Sequence, residues 1–535
     1  MFVPNVSCLM QRRERRLGGR PAPARLAMCA GQPRPADAAP TADLSAAARA
    51  ASTDASAAAS PTASPYPIAE EGARLLAWAR QQGAETAALA IVRFPPSQLR
   101  GVVALEALPA GRPLVRLPAR MALHTRSDSG HRACPLPSRF CSPAFWSTCP
   151  WWVRLALMVL FERFKEDAQK RKFLEAHILQ RPLRIWERDR LTGASQPSQG
   201  DAPMRATWSH ALPDAFDATP LHWNDDERAA LQYAFLEQAV AEQQKQWDAL
   251  YRRYLLSTFG SSSSSSSSSD HGRSSGGADW RAFTDRITRD EFYWALECAR
   301  SRAFSGPCES TPFRDRVRLA AFSAALALSS WSFGWLQSDV ALQAFLVLML
   351  AQSAYDFLYP RILKHTQGIE LRKYVIAPVI DMFNHTSAVQ SDVRYEFFYD
   401  AFVLAVTNRG FAPGEQMFIS YGPRSNDELL LTYGFVEEHN PHDKYTMVDA
   451  DRGTLVVLEH DGTVRDRQRV IEQYGSVKAL RRLLQSELDA KPTTVEQDEA
   501  HVAHSEREEL ARRFRLCKKR ILRQALARLA DDEMH

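Results

Sequence analysis

The stretch VIAPVIDMFNHTS, residues 375–387, constrains the fold of this chain more than any other. Its apolar and β-branched residues, with one proline, predict a buried strand. The stretch nevertheless ends in three polar side chains, those of Asp381, Asn384 and His385. Taken alone, an Asn-His pair is usually a capped turn, so these side chains indicate a site only if a second segment joins them.

A second informative segment, GEQMFISYGPRSNDELLLTYGFVEEHNP, follows at residues 414–441. MFIS predicts a strand, YGPRSN a turn, and DELLLTYGF a short helix that begins near an Asn or Asp cap. Tyr421 therefore lies where a strand ends, and Tyr433 and Phe435 follow about one helix length later. A lone tyrosine after a strand is usually a core residue with a satisfied hydroxyl. The combination of these aromatic residues with Asp381, Asn384 and His385 indicates a functional site more strongly than any one residue does.

Length and composition limit the number of domains, the kinds of partner and the chemistry of the cysteines. A chain of 535 residues is long enough for two or three domains and a large core. A net charge of +5 favours no nucleic-acid partner and none is expected. The eight cysteines include no C-x-x-C pair, so we expect neither a metal site nor a disulfide framework, and we predict reduced thiols.

The first 66 residues differ in composition from the rest. Seven arginines and one acidic residue precede Pro35, and an Ala/Ser/Thr/Pro-rich run follows. This composition predicts an organelle transit peptide, and a disordered tail is the alternative. We exclude the segment from the fold and expect a plastid location, with the mitochondrion as second choice.

Periodicity predicts the elements that follow. EEGARLLAWARQQGA indicates a helix, and residues 99–123 indicate two strands joined by a Pro-Ala-Gly turn. Helices are predicted from Trp151 onward and again after a cap at Asn224 or Asp225. A serine-rich loop is expected at residues 256–278.

Residues 319–355 form an apolar pair of segments that interrupts this pattern. Two uncharged stretches flank a QSD turn, and both lie at the lower edge of membrane-spanning length. One interpretation is a membrane-inserted helical hairpin, which would associate the protein with a membrane. The other is a pair of buried helices packed on the core.

These segments, together with LRGVVA, LPDAFDATPLHWNDDE and FYWALECARSRAF, resemble SET-domain protein methyltransferases of the Rubisco large-subunit methyltransferase-like branch. The resemblance covers most of residues 68–440. It implies an α+β fold: a SET-domain β-core with a pseudoknot, a long helical insertion and a C-terminal all-helical substrate-binding module. The expected divisions are 1–66, 67–439 with insertions at about 125–300 and 314–362, and 440–535.

The resemblance implies S-adenosyl-L-methionine as the cofactor. Backbone at Gln98, Leu99 and Arg100 would hold its amino-acid end, with Gly101 allowing close approach. Many relatives carry an acid at the position of Gln98. The other cofactor contacts implied are a guanidinium facing the cofactor carboxylate and an Asn-His pair on the adenine side: Arg302, Asn384, His385.

The resemblance also implies the substrate site. Tyr421 would be the catalytic residue, orienting a lysine amine and the methyl group through its hydroxyl. Phe304 would favour lysine over histidine, because an apolar neighbour offers an imidazole no hydrogen bond. The full set of implied substrate contacts is Arg302, Phe304, Asp381, Tyr395, Tyr421, Tyr433 and Phe435.

The function implied is that of a protein-lysine N-methyltransferase acting on a plastid protein such as Rubisco or aldolase. Its partner would be a protein that presents a lysine, and we expect a monomer. One alternative is a catalytically silent, membrane-anchored SET-like module that binds a protein. Another is an active enzyme in the cytosol that acts on a ribosomal or cytoskeletal protein.

Overall fold

The structure is a computed structural model. It describes residues 66–534 except 96–97, 127–133, 181–207, 260–286, 308–312, 333, 335–336, 338, 341, 352–353, 355–357, 359–371, 397–398 and 450–452. The predicted leader, apart from Tyr66, and residues 260–278 of the predicted serine-rich loop lie outside the described residues. Residues 256–259 of that loop are helical.

The strands of the described residues fall in the regions where alternating or β-branched residues predict them, and in several further short segments. In chain order they are β1 (Glu85–Thr86), β2 (Leu89–Phe94), β3 (Leu99–Ala104), β4 (Pro113–Pro118), β5 (Leu123–Arg126), β6 (Ala303–Pro307), β7 (Arg372–Ile376), β8 (Asn384–His385), β9 (Ser391–Glu396), β10 (Ala401–Val406), β11 (Gln416–Ile419), β12 (Lys444–Asp449) and β13 (Thr454–Glu459).

The α-helices are concentrated between β5 and β6 and after β11. They are α1 (Glu70–Gln81), α2 (Pro143–Thr148), α3 (Trp151–Glu166), α4 (Ala168–Phe173), α5 (Asp225–Ala229), α6 (Ala234–Phe259), α7 (Arg289–Arg302), α8 (Phe313–Ser332), α9 (Asn426–Tyr433), α10 (Arg467–Tyr474), α11 (Val477–Asp489), α12 (Val495–Ala500) and α13 (Glu506–Met534).

Three small sheets form the β-core. Their strand orders are β1-β4-β10-β9, β2-β3-β11-β8 and β5-β7-β6. The two strands predicted within residues 99–123 fall in different sheets, because β3 pairs with β2 and β11 while β4 pairs with β1 and β10. The parallel pair β8–β11 brings the Asn-His segment beside the strand that precedes Tyr421.

The stretch 375–387 is more broken than the single strand that the sequence predicts. Strand β7 ends at Ile376, Pro378 follows, and Val379 adopts a left-handed φ of 71°. A 3₁₀ turn, Ile380–Met382, and the two-residue strand β8 come next. The polar side chains therefore lie on a turn and a second short strand, since proline cannot donate to a β ladder.

Helix capping matches the sequence at two positions and differs at a third. Capping boxes join Thr288 with Glu291 and Asn224 with Glu227, which confirms the cap predicted at Asn224. At α9 the cap position is held by Ser425, whose side chain makes no capping bond. A distant carboxylate replaces it: Asp443 Oδ1 accepts from the amide of Asn426 at 2.9 Å.

The apolar segment at 319–355 is helical over α8 and at residues 342–351. The expectation that these helices are buried is wrong for many of their side chains, which are exposed: Phe322, Leu326, Leu328, Trp331, Leu342, Leu346, Val347, Leu348 and Leu350. Within the part of the chain that the structure describes, no helix has the length and hydropathy needed to cross a membrane.

The apolar core forms two large clusters. One underlies the three sheets and helices α3 and α7. The other joins the end of the long insertion, including Tyr233, to α9 and to the C-terminal residues around Phe514. The C-terminal module is not all-helical, because β12 and β13 form an antiparallel hairpin. The runs KYTMVD and TLVVLE, which contain β-branched residues, form these two strands.

A buried lysine fixes α13 to the rest of the protein. Lys518 Nζ donates to Asp427 Oδ2 at 2.6 Å, to Asp443 Oδ1 at 2.8 Å and to the Lys444 carbonyl at 2.7 Å. Burial alone would lower the pKa of Lys518, but the two carboxylates raise it. Since Asp427 begins α9 and Asp443 caps it, the ammonium fixes α13 to the helix that leads to Tyr433.

We expect Lys518→Met to destabilise the protein by about 3–5 kcal/mol, because two buried carboxylates lose their counter-charge. Urea denaturation of the full chain measures this change. Arg523→Met is the matched control on the same helix, since Arg523 pairs with Glu496 at the surface. That variant should change stability by less than about 1 kcal/mol. Equal midpoints for the two variants would contradict the prediction.

Candidate active site

A cleft of about 1150 Å³ runs between the β2-β3-β11-β8 sheet, the end of α7 and the start of α13. It brings together most of the residues predicted from the sequence: Gln98, Leu99, Arg100, Arg302, Asp381, Asn384, His385, Tyr421, Tyr433 and Phe435. Phe304 and Tyr395 are not among its lining residues. Phe304 packs against the main core, and the Tyr395 hydroxyl donates to Asp400 at 2.7 Å.

Gly101 and Asn384 bring β3 and β8 into close contact at one end of the cleft. The side-chain amide of Asn384 donates to the Arg100 carbonyl at 2.8 Å. A Cβ on Gly101 would lie 2.6 Å from Gln416 Nε2, 2.7 Å from Phe94 Cε2 and 2.8 Å from Asn384 Nδ2. Only glycine fits there, so the close approach expected at Gly101 is present and is made by protein side chains.

An ion pair between Arg302 and Asp381 lies beside this contact. Arg302 donates to the Asp381 carbonyl at 2.8 Å and to its Oδ2 at 3.3 Å. Burial raises the pKa of Asp381, and the guanidinium of Arg302 opposes that rise. Two buried polar atoms at this pair, Arg302 Nε and Asp381 Oδ1, have no hydrogen-bond partner in the described structure. Both atoms are buried, and the Asp381 side chain is fully buried, so only the Arg302 side chain of this pair is partly exposed.

His385 orients the backbone at Tyr421. Its Nδ1 accepts from the Tyr421 amide at 2.9 Å, and its ring stacks on the Tyr421 ring with centroids 5.0 Å apart. Burial lowers the pKa of His385. The Ile419 carbonyl lies 3.3 Å from the same nitrogen, but the Tyr421 amide is closer and can only donate. This contact favours the neutral ring with its lone pair on Nδ1 and its proton on Nε2.

The Tyr421 hydroxyl donates to the Phe383 carbonyl at 2.7 Å. The Tyr433 ring lies 4.8 Å from that of Tyr421, and Phe435 lies 6.2 Å beyond Tyr433. Burial, with Tyr433 adding to it, raises the pKa of Tyr421 above its usual value. The hydroxyl is therefore neutral at physiological pH and acts as a hydrogen-bonding group, while the three rings form one aromatic wall.

Glu437 does not line the cleft, but it holds the segment that follows His385, and no sequence pattern indicates this role. Its Oε1 accepts from Thr386 Oγ1 at 3.2 Å and from the amide and hydroxyl of Ser387 at 2.9 and 3.0 Å. Its Oε2 lies 3.7 Å from His385 Nε2. No local pattern marks it, because its partners lie about fifty residues earlier in the chain.

A strap, residues 208–222, forms the opposite wall and was also missed as a site element. It begins with the 3₁₀ turn Trp208–Ala211, and Trp208 Nε1 donates to Asp381 Oδ2 at 2.8 Å. Arg100 donates to the Ala211 carbonyl. At the other end Thr219 and His222 hydrogen-bond to Glu297, at 2.8 and 2.9 Å. The cleft is therefore closed by residues of the insertion as well as by the β-core.

Comparisons with known proteins find partial similarity in sequence and in fold. No family model matches the chain. Human SET domain-containing protein 4 is 39% identical over 67 residues, which are 12% of this chain and 15% of that protein. The chloroplastic Rubisco large subunit N-methyltransferase of Pisum sativum is 25% identical over 204 residues, 36% of this chain and 28% of that one.

The chloroplastic fructose-bisphosphate aldolase-lysine N-methyltransferase of Arabidopsis thaliana is 30% identical over 127 residues. They amount to 22% of this chain and 24% of that protein. The chain thus matches less than a third of the length of each of these relatives. The similarity to SET-domain lysine methyltransferases, including the Rubisco-directed type, is nevertheless confirmed.

A crystal structure of the SET domain of LSMT bound to lysine and AdoHcy has the same fold. The TM-score is 0.51 with 17% sequence identity, and the match covers 87% of this chain and 92% of that one. The expected α+β fold with a SET-domain core is therefore confirmed.

We expect Gly101→Ala to destabilise the protein by about 1–3 kcal/mol, because its Cβ must displace Asn384, Phe94 or Gln416 in a packed site. Thermal melting of the full chain measures this effect. Gly306→Ala is the matched control, since Gly306 also lies in a strand and nothing stands within 4 Å of an added Cβ. A Gly101→Ala protein that melts with the control would show that the contact tolerates a methyl group.

We expect Glu437→Gln to lower the pKa of His385 further, because Glu437 is the largest influence opposing the effect of burial. Neutral His385 contributes stability above pH 6.5, its ordinary pKa, and that contribution is lost as pH falls through the depressed value. Imidazole NMR titration measures the change. Glu438→Gln is the control, since Glu438 is exposed and pairs with Arg513. An unchanged His385 titration in Glu437→Gln would contradict the assignment.

Proposed function

We propose that this protein is a SET-type protein-lysine N-methyltransferase that uses S-adenosyl-L-methionine. The observation that carries the proposal is the environment of Tyr421. Its neutral hydroxyl is fixed on the Phe383 carbonyl at 2.7 Å, its amide is held by His385, and its ring begins an aromatic wall. A group positioned in this way can orient a reacting amine without acting as its base.

The residues at the β3–β8 end of the cleft fit the proposed cofactor. Its carboxylate matches the guanidinium of Arg302, which lines this end of the cleft and is partly exposed. Backbone at Gln98, Leu99 and Arg100 lines the same end, with Asn384 and His385 beside it. When bound, S-adenosyl-L-methionine supplies a methyl group on a positively charged sulfur, which a neutral amine can displace.

The aromatic wall fits a lysine side chain. Tyr433 and Phe435 line the cleft, and aromatic rings attract a cationic or partly cationic group. An apolar channel lowers the pKa of a lysine amine, so the amine can lose its proton to solvent before reaction. Tyr421 then orients the neutral amine, and the protein needs no dedicated base in this scheme.

We further propose a plastid protein, such as Rubisco or aldolase, as the substrate. Support comes from the partial similarity to chloroplastic enzymes whose names specify those substrates, and from the arginine-rich composition of the leader. The division into residues 67–439 and 440–535, with the latter contacting the substrate protein, belongs to the same proposal.

Titration calorimetry with S-adenosyl-L-methionine tests the function on the full chain. We expect micromolar binding that Asn384→Ala abolishes, because that side chain joins β8 to β3. Tyr421→Phe should bind the cofactor normally and transfer methyl groups to plastid extract about 100-fold more slowly. Mass spectrometry of the labelled extract identifies the substrate and the modified residue.

Two outcomes would contradict the proposal. Folded protein that binds no S-adenosyl-L-methionine would favour a catalytically silent protein-binding module. If the protein binds the cofactor but shows no methyl transfer that is lost in Tyr421→Phe, the catalytic role of Tyr421 is wrong. The proposed cofactor site would still stand. Labelling of cytosolic extract alone would overturn the plastid substrate and nothing else.

A further inference from the structure

We propose that Trp208 is a positioning residue for methyl transfer: its indole N–H fixes the Asp381 carboxylate against Arg302 and so couples the strap to the cofactor site. This inference rests on the proposed function. It adds a residue from the insertion to a site otherwise built from the β-core and α7.

Two contacts to one buried carboxylate oxygen carry the inference. Trp208 is 1% exposed, and its Nε1 donates to Asp381 Oδ2 at 2.8 Å. The same oxygen lies 3.3 Å from Arg302. The two donors therefore share one oxygen and leave Asp381 Oδ1 without a partner in the described structure. Because both donors converge on one atom, the carboxylate cannot rotate without breaking a buried bond.

The strap is also held at points that do not involve the ion pair. Trp294, on α7, donates from Nε1 to the Pro213 carbonyl at 2.8 Å, and Thr219 donates to Glu297 at 2.8 Å. A contact needed only to hold the strap would duplicate these bonds. Trp208 differs from Trp294 in its acceptor, which is a charged group of the cleft.

The positioning role of Trp208 can be measured through the pKa of Asp381. Burial raises the pKa of its carboxyl, while Arg302, the Trp208 hydrogen bond and Arg100 lower it. The charged and titratable groups that face it are Arg302, Arg100, Cys298 and Tyr421. Removing the indole N–H must raise the pKa of Asp381, so Asp381 becomes neutral, and stops pairing with Arg302, at a higher pH.

The test compares Trp208→Phe with Trp294→Phe in the full chain. Each substitution removes one indole hydrogen bond between the strap and the rest of the protein and keeps an aromatic ring. Affinity for S-adenosyl-L-methionine is measured by calorimetry across the acid range. We expect Trp208→Phe to move the acid limb of binding to higher pH and to weaken binding roughly tenfold within that limb. Trp294→Phe should follow the unsubstituted protein. Coincident pH profiles for all three proteins, or equal shifts in both variants, would overturn the proposal.

A second measurement needs neither cofactor binding nor a Trp208 variant that folds. Hydrogen exchange of the amides at residues 208–212 is followed against pH in the unsubstituted protein and in Asp381→Asn, with intrinsic exchange rates divided out. We expect protection to fall on the acid side in the unsubstituted protein, as the carboxylate is protonated, and to be independent of pH in Asp381→Asn. A flat profile in the unsubstituted protein would overturn the role of Trp208 even if the proposed enzyme activity is correct.

Discussion

The candidate site depends on the parallel pairing of β8 with β11. Only two residues form β8, and they register with Phe418 and Ile419. So short a strand has few ladder hydrogen bonds, and side chains supply the remaining contacts. Asn384 bonds to β3, and His385 bonds to the amide of Tyr421. The residues proposed for the cofactor and for the substrate are thus held at one point by Asn384 and His385, which both line the cleft.

The sequence predicted those parts of the site that are local in the chain. Asp381, Asn384 and His385 are out of place in an apolar run, and Tyr421 follows a clear strand, so both segments were recognisable. Trp208 and Glu437 were not, because their partners lie far away in sequence: Trp208 and Asp381 are 173 positions apart. Judged from neighbouring residues alone, Trp208 would be read as a core residue and Glu437 as a surface residue. Phe304 and Tyr395 were expected by resemblance, and neither lines the cleft.

The C-terminal region shows the same limit in the fold. Lysines on a charged amphipathic helix normally face solvent, and periodicity gives no reason to expect Lys518 and Lys519 at 2% exposure each. Their partners are carboxylates on other elements, Asp427 and Asp443 for Lys518 and Asp498 for Lys519. Such charges are buried only as a set, so no single segment predicts them. The hairpin β12–β13 was missed for a simpler reason, since its two strands of six residues open a region whose longest segments are charged, amphipathic helices.

The charge state of Tyr421 limits what kind of catalysis the cleft can perform. A tyrosine can serve as a base only if it ionises, and burial beside Tyr433 raises its pKa instead. Its hydroxyl proton is also committed to the Phe383 carbonyl. What remains available is a lone pair on the hydroxyl oxygen, fixed in direction by that bond. In the proposed function the site would therefore accelerate a displacement by aligning groups, and the fixed positions of Tyr421, Asp381 and Arg302 would matter more than any proton transfer.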